Sequence, residues 1–254
     1  MSLEREFKVT KDHVLTKYTG DAEEITIPEG VEIIDDFAFR DNKKLKIVHI
    51  PDSVVTIAYG AFQGCTALKT VHFGKNVTLI GEQAFYHCEA LESAVLDHAL
   101  WQIRPHAFAF CKSLKTFRAG NGLVSIGVGA FYGTGLSEVA FGNKLKTIDG
   151  SAFAYAHQLK MVDFSNCLQT IGEKAFYSTG LQEVHFPGSL ESIGNQAFAE
   201  CRSLSKVTGL RQASLAFAGT PYAWKSLGLC LHCGGVFKGM FTKKCCECGR
   251  KKDY

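Results

Sequence analysis

The sequence predicts a repeat solenoid, a slab built on a ladder of short parallel strands, and three observations predict it. The pair Ala-Phe recurs at Ala38-Phe39, Ala61-Phe62, Ala84-Phe85, Ala107-Phe108, Ala130-Phe131, Ala152-Phe153, Ala175-Phe176 and Ala197-Phe198, in steps of 22 or 23 residues. An Ile stands five residues before each Phe, from Ile34 and Ile57 to Ile171 and Ile193, and a Val or Leu stands three residues before that Ile. Between repeats lies a short alternating run, "ITIP", "VHIP", "VHF", "VAF", "VDF" or "VHFP". Alternation over so few residues marks a strand with one buried face.

A unit of this length cannot bury its apolar side alone, so neighbours must stack and share one continuous core. Each unit therefore reads as one strand followed by turns and a short helical turn. Successive strands in such a ladder lie about 4.8 Å apart, so eight units make a slab roughly 40 Å long. The repeat phenylalanines Phe39, Phe62, Phe85, Phe108, Phe131, Phe153, Phe176 and Phe198 are its expected core column.

At the N-terminus, "FKVTKDHVLTKY" reads as a hairpin turning at Lys11-Asp12-His13, with Phe7, Val9, Val14 and Leu15 as inward residues. The other end, "LAFAGTPYAW", is a degenerate last repeat: Ala216-Phe217 follows after only nineteen residues, and Tyr222 and Trp224 are expected to close the core. The organisation expected is a cap hairpin over 1–21, about eight repeats over 22–210, a C-terminal cap over 211–226 and a separate tail over 227–254.

Four cysteines, Cys65, Cys88, Cys111 and Cys201, fall four residues after the repeat Ala, in a column that elsewhere holds Asn42, Thr134, Ala156 and Thr179. Such a column asks for a small side chain able to serve backbone groups in a tight turn. Buried free thiols are the reading preferred over a stacked redox or metal site, because parallel side-chain vectors in a ladder oppose disulfide geometry. Cys167, between strand and turn, is an isolated thiol.

The repeat resembles the BspA-like leucine-rich repeat, whose hallmark segment stands here as "IGEQAFYHC" and "IGNQAFAEC". The resemblance covers about residues 7 to 222. It implies a leucine-rich-repeat, right-handed β-solenoid-like slab with an N-terminal hairpin cap, and a cell-surface adhesin as one possible role.

After Trp224 the repeat stops. "CLHCGG" and "CCECGR" both fit C-x-x-C-G, which sets two thiolates on one ion while the glycine lets the backbone turn toward sulfur. The tail resembles a zinc ribbon, with Cys230, Cys233, Cys245 and Cys248 as ligands of a structural Zn²⁺, Cys246 as a bystander and His232 as a spacer. Four thiolates leave no open coordination position, and a persistent thiolate site points to a reducing compartment. With no basic-then-apolar leader at the start, cytoplasmic localisation is the expectation, and a native leader ahead of Met1 would make the protein secreted or surface-exposed instead.

Formal net charge is +3. The segment 225–254 holds seven Lys/Arg against Glu247 and Asp253, leaving 21 of 28 basic residues against 23 of 25 acidic ones in the body. Such a basic tail makes a nucleic-acid contact through Lys243, Lys244, Arg250, Lys251 and Lys252 the alternative reading. No run approaches the eighteen apolar residues of a membrane span, and no membrane partner is expected. Neither a nucleophile elbow, nor H-E-x-x-H, nor a phosphate loop, nor a dinucleotide fingerprint occurs, so the expected function is a non-enzymatic protein-interaction scaffold.

An unidentified protein would meet the outward strand positions. One column reads Thr26, His49, His72, Val95, Arg118, Ala140, Asp163, His185 and Thr208; its neighbour reads Glu24, Ile47, Thr70, Ser93, Thr116, Glu138, Met161, Glu183 and Lys206. His49, His72, Arg118, Asp163 and His185 are the candidate contacts. The His49/His72 pair is expected to be solvated strand surface rather than a metal site, and the face lacks the joint basic and aromatic character of a nucleic-acid platform.

Overall fold

A computed structural model describes residues 6–96, 99–210, 215–220 and 222. The hairpin expected at the start is present as β1 (Phe7–Val9) and β2 (Val14–Tyr18), antiparallel, with an irregularity between Lys8 and Val9. Phe7 and Leu15 point inward, whereas Val9 is 42% exposed and Val14 half-buried. Side chains alternate along a strand, so Val14 and Leu15 cannot share a face, and the slip after Lys8 turns Val9 outward.

Every repeat then contributes to two ladders. The first is a ten-stranded sheet in which β2 is followed by two-residue strands, from Ile33–Ile34 through Thr56–Ile57 to Ser192–Ile193, all parallel and in register one repeat apart. Its inward residue is the repeat Ile, with Ile34, Ile57, Ile80, Ile103, Ile126 and Ile148 fully buried. The second ladder, the strand face, uses three-residue strands in which the middle residue enters the core and its neighbours face out. Six of these, from Glu24–Thr26 to Glu138–Ala140, form one sheet, and Glu183–His185 pairs only with Lys206–Thr208.

The segment after the repeat Ile corrects the expectation of a short helical turn. Each unit instead makes two tight turns with left-handed residues just before the Ala and three after it, such as Phe37 and Asp41, or Gly60 and Gly64. Alternating the hand aims every second N–H along the solenoid axis rather than down a helix. Each repeat Phe donates its N–H to the Ala carbonyl of the next unit at 2.7 Å, from Phe39 to Ala61 onward. A third ladder of backbone hydrogen bonds results, and it satisfies groups that a two-ladder slab would leave buried and unpaired.

The core column runs as expected. Rings from Phe39 through Phe198 to Phe217 stack with centroids 4.6 to 5.3 Å apart and planes within 9°. Tyr18 of β2 begins the column, tilted 30° on Phe39 at 5.4 Å. Each buried ring contributes about 1.5–3 kcal/mol by removal from water. At the far end Ala216 and Ala218 accept the N–H groups of Phe198 and Glu200, and Tyr222 packs edge-on against Phe217 at 5.3 Å. The last repeat is thus closed by its degenerate copy, while Trp224 lies outside the described residues.

The cysteine column is a row of clasps between repeats. Cys65, Cys88 and Cys111 each place Sγ 3.0 to 3.1 Å from the Phe carbonyl of the preceding unit, and Cys201 does so to Phe176. Thr134 and Thr179 serve the Phe carbonyl of their own unit instead. Burial pushes the Cys65 thiol up to about 12 and raises those of Cys88, Cys111 and Cys201. Thiols so protonated are poor nucleophiles and poor metal ligands.

Candidate functional site

On the strand face the two outward columns stand in register as the alternation requires, Thr26 beside His49 and His49 beside His72. The His49 and His72 rings stack at 4.5 Å and 9°, and His49 Nε2 lies 3.0 Å from Glu24 Oε1. No third ligand joins them: among the described residues, no group of three His, Cys, Asp or Glu side chains could hold a metal ion. Arg118 reaches toward Glu138 at 3.9 Å. Between Thr70–His72 and Ser93–Val95 the pairing is already reduced to Thr70 with Ser93.

The ladder stops at Met161–Asp163. These residues occupy the position of a strand but pair with neither Glu138–Ala140 nor Glu183–His185. Where the strands pair along their full length the residue after the strand donates to the next unit, as Ile50 does to His72, Ala119 to Ala140 and Phe186 to Thr208; the equivalent bond is missing at Phe73, where pairing is reduced, and at both Phe141 and Phe164 around the interruption. The two units flanking the interruption, with strands Glu138–Ala140 and Glu183–His185, are those whose turn is one residue short, reading Thr134-Gly135-Leu136 and Thr179-Gly180-Leu181. Both glycines lie against a carbonyl of the preceding unit, where a Cβ would come within 2.3 Å of Lys112 O or His157 O. The short turn therefore needs glycine to bring the chain this close.

Met161, 65% exposed, stands between two cavities. One, of about 430 Å³, is lined by Val162, Asp163, Glu183, His185, Lys206 and Thr208 as well as Met161. The other, of about 530 Å³, is bounded by Ser137, Glu138, Val139, Lys160, Gln182 and both Met161 and Asp163. Asp163 faces both, Glu183 pairs with Lys206 at 2.9 Å, and His185 Nδ1 sits 2.8 Å from Thr208 Oγ1. Of the five predicted contacts the structure brings Asp163 and His185 together here, and leaves His49, His72 and Arg118 on the unbroken part of the face.

Residues 14–117 and 78–205 match the model of the BspA type leucine-rich repeat region. The chain belongs to this family. No curated protein sequence is significantly similar. Among solved structures, a leucine-rich cell surface protein from Faecalibacterium prausnitzii is 30% identical with a TM-score of 0.60, covering 81% of this chain and 53% of its own. A leucine-rich repeat protein from Bacteroides ovatus is 28% identical with a TM-score of 0.67, covering 81% and 57%. The T. pallidum leucine-rich repeat protein is 25% identical with a TM-score of 0.64, covering 79% and 88%. The chain thus spans a little over half the length of the first two.

For this leucine-rich repeat protein, sequence reasoning missed Met161 as a site residue. A signal existed in the one-residue deletions at 134–135 and 179–180, which frame the unit whose strand fails to pair. The four tail cysteines Cys230, Cys233, Cys245 and Cys248 lie outside the described residues.

Proposed function

We propose that this chain is a non-enzymatic protein-interaction module that receives its partner on the strand face, anchored where the ladder is interrupted. The observation that supports the reading is the exposed thioether of Met161 between two cavities, beside backbone N–H groups left without their ladder bonds. A flexible, polarizable side chain suits a contact surface, and unpaired strand edges invite an extended segment of another chain. Asp163, which lines both cavities, adds a carboxylate at the centre of the site, while Glu183 is paired with Lys206, and this favours a partner segment that brings a basic residue to Asp163.

A photo-crosslinking residue at Met161 tests this in the native organism. Crosslinks to a protein from Met161 and none from His72 are expected; crosslinks from His72 alone would move the site to the unbroken face. A second reading, adhesion at a cell surface, draws on the name of the F. prausnitzii relative, and surface labelling of intact cells separates it from a cytoplasmic role.

For the tail the proposal remains a structural Zn²⁺ on Cys230, Cys233, Cys245 and Cys248. Metal analysis should find one zinc per chain, lost in Cys230→Ser and Cys245→Ser and kept in Cys246→Ser. Binding of DNA or RNA that weakens steeply with salt and disappears on replacing Lys243, Lys244 and Arg250 would instead assign the tail a nucleic-acid role.

A further inference from the structure

The turn face carries a row of aromatic side chains that the strand face lacks. Tyr86, Phe110, Tyr132, Tyr155 and Tyr177 follow one another across five consecutive repeats with ring centroids 5.6, 5.3, 5.1 and 5.4 Å apart. Adjacent rings are inclined by 59° to 90°, so the row is a herringbone, and His87 stacks on one face of Phe110 at 4.8 Å and 13°. All five are partly exposed, Tyr155 by 40%.

Their positions in the repeat alternate. Tyr86, Tyr132 and Tyr177 stand two residues after the repeat Ala, whereas Phe110 and Tyr155 stand three after it. That second position is left-handed, with φ of 61° at Phe110 and 62° at Tyr155. Glycine occupies the same place at Gly64 and Gly133 without steric conflict, while a bulky residue there is strained. Asp41, His87, Ser178 and Glu200 hold the same left-handed place in other units, and where the residue is Phe110 or Tyr155 its ring fills the gap between the tyrosines two after the Ala on either side.

Two cavities open along it, sharing Tyr132 as their wall. One, of about 260 Å³, is lined by Gln83, Tyr86, His106, Phe110 and Tyr132. The next, of about 320 Å³, is lined by Tyr132, Ser151, Tyr155, Lys174, Tyr177 and Gln196. Amides and hydroxyls that both donate and accept dominate the polar groups, and the one fixed charge, Lys174, is paired with Glu173 at 3.5 Å. A single-stranded nucleic acid would need cations along such a row, and a polyproline segment, which lacks N–H donors, would leave the acceptors unused.

We propose that this aromatic row is a binding site for a neutral polysaccharide. The C–H faces of successive sugar rings lie on the aromatic π-faces, which are electron-rich, and the hydroxyls at their rims both donate to and accept from the flanking amide and hydroxyl groups. A row that advances by about one ring per repeat suits a polymer of ring units and gives the affinity to several weak stacking contacts in line.

Saturation-transfer NMR and calorimetry on the full chain test it, with cellohexaose, laminarihexaose, mannohexaose, xylohexaose and maltohexaose as probes and decaproline as the competing class. At least one hexasaccharide should bind, and Tyr132→Ala and Tyr155→Gly should each weaken it tenfold or more. Because glycine relieves the left-handed strain, Tyr155→Gly should keep or raise the melting temperature, which separates lost binding from lost fold. No binding by any of the five sugars, binding unchanged in both variants, or binding of decaproline alone would overturn the proposal.

Discussion

Residues 24–140 and residues 161–208 are built from the same repeat yet finish their strand faces differently. In the first stretch six strands form one continuous sheet; in the second, one segment is unpaired and only two strands remain joined. The core does not register the difference. Phe131, Phe153 and Phe176 stack at 5.0 and 5.1 Å straight through the interruption, and the narrow ten-stranded sheet continues beneath it. Core and face are therefore separable. The interlocked rings, the ten-stranded sheet and the turn ladder hold the solenoid, and the strand-face ladder opens without breaking them.

The largest expected effect checks that separation. Phe85→Ala and Phe176→Ala should each cost about 3–5 kcal/mol in chemical denaturation, because both remove a fully buried ring with stacked neighbours on either side. A much smaller loss at Phe176 would mean that the interruption does reach the core.

Alkaline conditions should discriminate between the halves next. Three buried thiols, Cys65, Cys88 and Cys111, lie in the first stretch and one, Cys201, in the second. A thiol whose folded pKa is raised stabilises the fold fully below its unfolded value, and that contribution fades as pH climbs through the folded value. Stability should fall between about pH 9 and about 12, the Cys65 value. Replacing Cys88 and Cys111 by Ala should flatten that slope. In the same pH range exposed Cys167 should alkylate with iodoacetamide while the buried four resist.

Hydrogen exchange offers a more local test. Amides of Phe141 and Phe164, which lack the ladder bond, should exchange at least about tenfold faster than those of Ile50 and Ala119. Smallest of all should be His72→Ala, within about 0.5 kcal/mol of the parent, since an exposed stacked imidazole adds little to stability.

Legibility from sequence divided along the same line as the two regions. The Ala-Phe pair, the Ile and the short alternating run specified which residues point inward, because burial in a stack of identical units admits one register. The cysteine column was readable as structural, although its service to the preceding repeat was not, since that depends on how far one unit is offset from the next. Val9 is turned outward by a slip that alternation alone does not reveal, whereas Val14 departs from the core because alternation forbids it the face of its neighbour Leu15. The helical turn was misjudged because Gly60 and Gly64 signal left-handed backbone while Gln83 and His87, in the same conformation, give no sign.

By itself, then, the sequence determined the repeat, its core column, its parallel register and the residues of the outward face. Only the tertiary structure decided where the face is interrupted, that alternate N–H groups of the turns form a ladder of their own, and that aromatic residues two and three places after the Ala meet in one row. The reason is geometric. Inward or outward direction follows from local alternation, which a single unit encodes, whereas pairing and alignment between units depend on offsets of an ångström or two that emerge only once the units are stacked.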